Sequence, residues 1–350
     1  MSATTPEADA FEHFARTARD SSPLYEHLAR RVATDTELLA LTADVRPRHL
    51  QPNLLFAAAH YLLLKGAASD LARSYESLGG TAPFAADVFR QFRSFCLAHA
   101  DAIRNVTAVR RVQTNEVRRC AALVPGFSSA ADALGADRAA FVEIGASAGL
   151  NLQWDRYRCQ YEDGLAWGAT TADLVFSCEL RGFGRPRLDR LPDIVQRYGI
   201  DIAPLDVRYA DDLLWLKALT WPEHADRRDL LERAADIARR DPPKLIAGDA
   251  ADIFPSVADG IAPDVPIIVY HSFTMNQFDT HQRELLEDAF CRIGALRPLA
   301  RVGLEWPAGA DFPSLSLTNY SAVQSSAGCS LSASRTAPGC GGPWTPRIRP

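Results

Sequence analysis

From about residue 8 to 135, apolar positions recur every three or four residues, as in Phe11 to Arg19, Leu54 to Leu64 and Phe84 to Ala98. That is the period of amphipathic helices. Pro23, Pro47, Pro52, Gly79-Gly80 with Pro83, and Pro125-Gly126 fall between these stretches. Because proline and glycine punctuate helices, 8–135 reads as an all-helical N-terminal domain. After Gly135, short apolar runs that end in polar residues alternate with helical text, the pattern of parallel strands joined by crossover helices. Strands are expected at Ala139–Ile144, Tyr157–Glu162, Leu174–Cys178, Ile200–Asp206, Lys244–Ala247, Pro266–His271 and Ala300–Trp306, and helices at Leu213–Leu219 and Arg228–Arg239. The expected fold class is α/β, with a Rossmann-like, mostly parallel sheet over 136–320 whose ligands bind beyond the carboxyl ends of the strands.

The last stretch breaks the pattern. No Asp or Glu occurs from Phe312 to Pro350, and from Ser321 the text is rich in Ser, Gly and Pro. One reading of 321–350 is a disordered tail. Another is a reading-frame shift near Ser321 to Ser326, because permitted GC-rich codons for Ser326 to Gly342, read two nucleotides out, spell R-R-L-L-A-Q-R-L-A-H-G-A-W-V-R-W, a helix followed by a strand.

Composition narrows the class. At roughly one domain per 150 residues, 350 residues give about two domains. With 47% apolar and 23% charged residues the chain is in the range of ordinary soluble proteins. Its longest apolar stretch, Leu54 to Leu64, is interrupted by His60 and is shorter than the roughly 18 to 20 residues of a membrane span. The N-terminus, M-S-A-T-T-P-E-A-D-A, lacks the features of a signal peptide, so a cytoplasmic location is expected. Seven cysteines without a Cys-x-x-Cys pair suggest neither a disulfide framework nor a metal site. The net charge of -5, with no long run of one sign, does not suggest nucleic acid as a partner. Lys65, Lys217 and Lys244 are the only lysines among 38 basic residues, which points to a GC-rich gene.

The chemistry is concentrated in F-V-E-I-G-A-S-A-G-L-N-L, Phe141 to Leu152. A buried strand ends in Glu143, and Gly145, Ser147 and Gly149 then form a small-residue turn before a helix could begin. Glycines let backbone approach a ligand, and free N–H groups at a helix start favour an anion. This layout is similar to the first motif of S-adenosylmethionine-dependent methyltransferases. In that arrangement a second acid about 20 residues on holds ribose hydroxyls, a place that Glu162 and Asp163 would fill. K-L-I-A-G-D-A-A-D-I, Lys244 to Ile253, resembles the segment that lines the adenine, with Asp249 and Ala250 as contacts. Asp249 equally fits a plain helix N-cap.

The same turn satisfies G-x-S-x-G, so a serine hydrolase built on Ser147, Asp249 and His271 is an alternative. The long helical text before this strand and the lack of an upstream His-Gly-Gly segment argue against it. V-Y-H-S-F would place Tyr270, His271 and Ser272 at the carboxyl edge, with His271 as a base toward a methyl acceptor. Asn151, Arg156, Tyr270 and Glu305 are candidate substrate contacts, and Trp306 is a candidate core residue. A third reading is a non-enzymatic nucleotide-binding scaffold.

Longer motifs carry a family resemblance. V-E-I-G-A-S-A-G-L-N-L-Q-W-D-R-Y, Q-T-N-E-V-R-R-C at Gln113 to Cys120, P-L-D-V at Pro204, W-P-E-H at Trp221 and L-E-W-P-A-G-A-D-F-P at Leu304 resemble the uncharacterised bacterial family catalogued as domain of unknown function 2332. The resemblance spans about residues 8 to 320 and brings no established activity. It implies a helical cap on a methyltransferase-like sheet and a terminal His-Gly-x-Trp segment. That segment is lacking in this frame, which implies lower stability than that of relatives. Roughly 100 residues separate Glu143 from Asp249, and no Asn-Pro-Pro-Tyr segment occurs, so the resemblance to methyltransferases requires an insertion between the second strand and the Gly-Asp-Ala strand.

Overall fold

The computed structural model describes residues 5–43, 45, 50–81, 87–181, 185–307, 312–320 and 345–347. The proposed frame shift between Ser321 and Ser326, and its product up to Gly342, lie outside the described residues. In chain order the elements are α1 (Pro6–Ala18), α2 (Pro23–Val32), α3 (Thr36–Ala40), α4 (Gln51–Leu64), α5 (Val88–Ala98), α6 (Ala100–Val109), α7 (Cys120–Leu134), β1 (Arg138–Ile144), β2 (Tyr157–Tyr161), β3 (Ala166–Trp167), β4 (Leu174–Arg181) and β5 (Asp193–Asp201). There follow α8 (Ala210–Leu219), α9 (Ala225–Arg240), β6 (Lys244–Ala247), α10 (Ala250–Asp259), β7 (Ile267–Ser272), α11 (Thr280–Gly294), β8 (Leu299–Glu305), β9 (Ser314–Asn319) and β10 (Thr345–Arg347). No described helix is long and apolar enough to cross a membrane.

The chain divides into two compact units. The first takes the described residues up to Thr114 and adds Val207–Glu232, so α8 and the start of α9 return to the N-terminal helices. Helix starts follow local rules: Thr5, Ser22 and Asp35 each accept a backbone N–H at the head of α1, α2 and α3. The core of this unit is aromatic, with Phe11, Phe14, Tyr25, Phe56 and Phe92 buried together and Tyr25 stacked on Phe56 at 4.7 Å between ring centroids. Glu223 fixes the returning segment, accepting from Ser22 Oγ at 2.9 Å and from the Leu24 N–H at 3.1 Å.

The second unit, Asn115–Asp206 with the described residues from Arg233 onward, contains both sheets. α7, which sequence assigns to the helical domain, packs here against β8 and β9. The main sheet is mixed α/β and mostly parallel, in the order β6-β5-β1-β7-β8-β9, with β9 antiparallel to β8. The chain starts at β1 in the middle, winds out through β5 to β6, then reverses to β7 and winds out through β8. One face is covered by α10 and α11, whose Phe254, Phe290 and Leu286 pack on Val142, Ile144, Ile267 and Val269. On the other face Phe127 of α7 makes edge contacts with Phe141 and Tyr270 at 5.0 and 4.9 Å.

Three expected strands fall elsewhere. Tyr157–Glu162 and Leu174–Cys178 are indeed extended, but as β2 and β4 of a separate sheet in the order β10-β4-β2-β3. The strand expected at Ile200–Asp206 runs instead over Asp193–Asp201. It ends where the Asp201 carboxylate accepts the Ala203 N–H at 2.9 Å and closes a turn ahead of Pro204. The extra text lies in two places, not only after the second expected strand: β2, β3 and β4 of the second sheet lie between β1 and β5, and α8 with α9 between β5 and β6.

Candidate functional site

The carboxyl edge of β1, β5, β7 and β8 gathers most of the candidate residues. After β1 the backbone turns through Gly145 and Gly149, at φ +72° and +69°. A Cβ at Gly145 would come 2.4 Å from Thr274 Oγ1, and one at Gly149 would come 2.7 Å from Pro243 Cγ, so both must be glycine for the turn to pack. Two described non-glycine residues have positive φ, Ser147 at 52° and Phe273 at 53°, and they follow β1 and β7 at the winding reversal. Strained backbone concentrates at functional edges.

The turn supplies its own anion. Asp201, at the tip of β5, accepts the Ser147 N–H at 2.8 Å, and Asn115 Oδ1 accepts the Leu150 N–H at 2.9 Å. The N–H groups of Gly145 and Ala146 go to the Ile200 carbonyl at 2.8 and 3.3 Å. The expected helix after the turn is a seven-residue 3-10 segment, Leu150–Arg156. These N–H groups are engaged within the chain and are not the open anion cradle that the motif suggests.

Glu143 faces α7 and is 1% exposed. Tyr270 Oη donates to its Oε2 at 3.2 Å, and Cys120 Sγ donates to Asn151 Oδ1 at 3.3 Å beside it. Asn151 Nδ2 is buried without a hydrogen bond of ordinary geometry, yet the amide is near enough to favour the charged carboxylate. Burial dominates and pushes Glu143 up to about 8, against the opposing pull of Tyr270, Arg119 and Asn151. Arg119 Nη1 donates to the Ser272 carbonyl and hydroxyl at 3.3 and 3.2 Å, and its guanidinium lies 4.9 Å from the Phe273 ring centroid.

On the opposite face, His271 is 4% exposed and its Nδ1 is 2.7 Å from Glu305 Oε1. The same oxygen accepts the N–H groups of Thr274 and Met275 at 3.0 and 3.1 Å, which fixes the carboxylate and through it the imidazole. Among the described residues nothing hydrogen-bonds Nε2. A base held by a carboxylate with its second nitrogen uncommitted is the arrangement of general-base catalysis.

A family model described as Uncharacterized protein conserved in bacteria (DUF2332) matches residues 8–337. The chain belongs to that family. No curated protein and no solved structure matches it. In this DUF2332 chain the Q-T-N-E-V-R-R-C motif supplies Asn115, Arg119 and Cys120 to the site described above.

Several expected roles change with these positions. Glu162 and Asp163 are in the turn after β2, in the other sheet, where Asp163 pairs with Arg185 at 2.9 Å. The acid on the strand beside β1 is Asp201, displaced along the chain by the inserted sheet. Asp249 caps α10 through the Ala251 N–H at 2.9 Å, with Ala250 buried behind it, and accepts from Gln282 Nε2 at 3.3 Å. Among the described residues no hydrogen bond joins Ser147, Asp249 and His271: the His271 Nδ1 is against Glu305 and Asp249 caps α10, so the hydrolase triad is not assembled. Arg156 pairs with Asp241 on the surface, and Tyr270 and Asn151 are fully buried around Glu143, so none of the three faces an open acceptor site. Glu305 holds the His271 imidazole and does not stand free for a substrate, and Trp306 is 53% exposed, not core. Among the described residues no group of His, Cys, Asp or Glu is gathered as a metal site. Sequence reasoning missed Asn115, Arg119 and Asp201. The first two were visible as a motif without a place, and the third was hidden by the misplaced end of β5.

Proposed function

We propose that this DUF2332 protein is an S-adenosylmethionine-dependent methyltransferase acting on a small molecule, with His271 as the base. The strand order carries this reading. Five parallel strands wind outward in two halves from β1, the order of doubly wound nucleotide-binding sheets, in which ligands bind at the reversal point. Asp201 tips the strand beside β1 at that point, where an acid would receive ribose hydroxyls. Its two oxygens accept the Ser147 and Ala203 N–H groups, which fixes the carboxylate at the strand tip. S-adenosylmethionine would supply an electrophilic methyl group. The protein's part is to orient the acceptor and to receive its proton at His271 Nε2.

Calorimetric titration of S-adenosylmethionine into the whole chain tests the reading. The expected result is one micromolar site per chain, weakened about tenfold or more in Asp201→Asn, the loss of a charge-assisted hydrogen bond. Absence of binding to a folded protein would retire the methyltransferase and favour a non-catalytic scaffold.

A further inference from the structure

The W-P-E-H motif, Trp221 to His224, takes no part in the site above and belongs to the helical unit. It forms the turn between α8 and α9, on the connection that leads from β5 to β6. Arg228 Nη1 braces this turn by donating to the Trp221 and Pro222 carbonyls at 3.2 and 2.6 Å. The turn docks on the corner between α1 and α2. Trp221 packs on Phe14 and Tyr25, at 5.5 and 6.0 Å between ring centroids. Glu223 accepts from Ser22 and from the Leu24 N–H in the first turn of α2, where it adds a second cap to that helix. His224 Nε2 is 2.9 Å from Ser21 Oγ and 3.0 Å from the Ser21 carbonyl.

The partners of this imidazole fix its charge. The Ser21 carbonyl can only accept, so Nε2 carries a proton; Arg227 Nη1, 3.2 Å from Nδ1, can only donate, so Nδ1 presents its lone pair. Only the neutral ring makes both contacts. A proton on Nδ1 would set an imidazolium N–H against a guanidinium N–H and turn that hydrogen bond into a repulsion. His224 is half-buried, so protons from solvent reach it. We infer that the turn is an acid-released latch: protonation of His224 drives it off Arg227 and frees the segment Val207–Glu232 from the α1–α2 corner.

Glu223 works in the opposite direction. Burial lifts its carboxyl above the ordinary value, ahead of the opposing hydrogen bonds from Ser22 and Leu24, and Glu76 adds to the rise. The closed form therefore binds the Glu223 proton more tightly than an open form, a contribution present at low pH and lost as pH rises. Besides Arg227, the titratable and charged groups around the pair are Tyr25 of α2, Tyr75 and Glu76 in the turns after α4, and Arg228 of α9. Arg228 in turn lies in the field of Glu232 and acts on His60 of α4.

Amide hydrogen exchange of the full chain, read by mass spectrometry in peptides covering 21–26 and 221–228, tests the latch at pH 7.5 and 5.5 after correction for intrinsic exchange rates. His224→Gln is the reference, because its amide donates to Ser21 and accepts from Arg227 without titrating, while Glu223 titrates in both proteins. An opening that lets a histidine of ordinary pKa, about 6.5, take up a proton is favoured about tenfold more at the lower pH. Protection of the unaltered chain relative to His224→Gln should therefore fall about tenfold from pH 7.5 to 5.5. Arg227→Gln, whose amide can either donate to Nδ1 or accept from it, should flatten that fall. A ratio that does not change with pH, or the full tenfold fall kept in Arg227→Gln, would overturn the latch.

Discussion

Gly145→Ala is expected to destabilise the protein by about 3 kcal/mol, seen as a melting point lower by about 6–12 °C for a unit of 150–250 residues. Two costs add. Alanine at φ +72° adopts a left-handed conformation at about 1–2 kcal/mol, and its Cβ would meet the Thr274 side chain at 2.4 Å, an overpacking cost of about 1–3 kcal/mol. Gly164→Ala separates them, because Gly164 has φ +82° with nothing within 4 Å and should show the backbone cost alone. Thr274→Ala in the Gly145→Ala background should recover part of the difference, since the two changes meet at one contact. Equal melting points for the two glycine variants would show that the turn does not pack on Thr274.

Glu143 should make stability fall with rising pH. Its folded-state value, about 8, is above the ordinary 4.5 of the unfolded chain. Between these values the native state holds a proton that the unfolded state has released, so stability declines by up to about 1.4 kcal/mol per pH unit across that window. The stabilising contribution is complete below pH about 4.5 and lost by the time pH has risen through about 8. Glu143→Gln keeps the shape and removes the titration. The difference in unfolding free energy between the two proteins, measured by urea denaturation from pH 5 to 9, should therefore shift toward the variant as pH rises. A difference independent of pH would mean that Glu143 is ionised in the folded protein. Tyr270 and Asn151 surround the carboxyl group, and burial favours its neutral form beneath the turn.

What was legible in the sequence follows from what each pattern encodes. β1 and β7 are largely apolar runs buried on both faces, and β8 is one broken by Arg301; such runs announce themselves. β5 is polar over its first half, where it is only partly covered, so its apolar end alone was read and the strand was placed too late. β2 and β4 were read as strands, but nothing local states which sheet a strand joins, since the partner is a tertiary fact. The same limit hid the return of α8 to the N-terminal helices: its apolar residues, Leu213, Trp215 and Leu216, demand burial without naming the surface that provides it. Among site residues, Glu143, Gly145, Gly149 and His271 were found because a strand end followed by a turn is a local signal. Asp201 was missed because a ribose-type acid was sought at the spacing of an uninterrupted βαβ unit, which the inserted sheet breaks.

The imidazole of His271 is where the chemistry is placed, and its tautomer tests that placement most directly. Two-bond ¹H–¹⁵N correlation spectra of the neutral ring should show Nδ1 protonated and Nε2 carrying the lone pair, with Glu305→Gln erasing the preference. A ring protonated at Nε2, or a tautomer mixture indifferent to Glu305→Gln, would mean that the carboxylate does not orient the histidine, and the assignment of His271 as the base would fail.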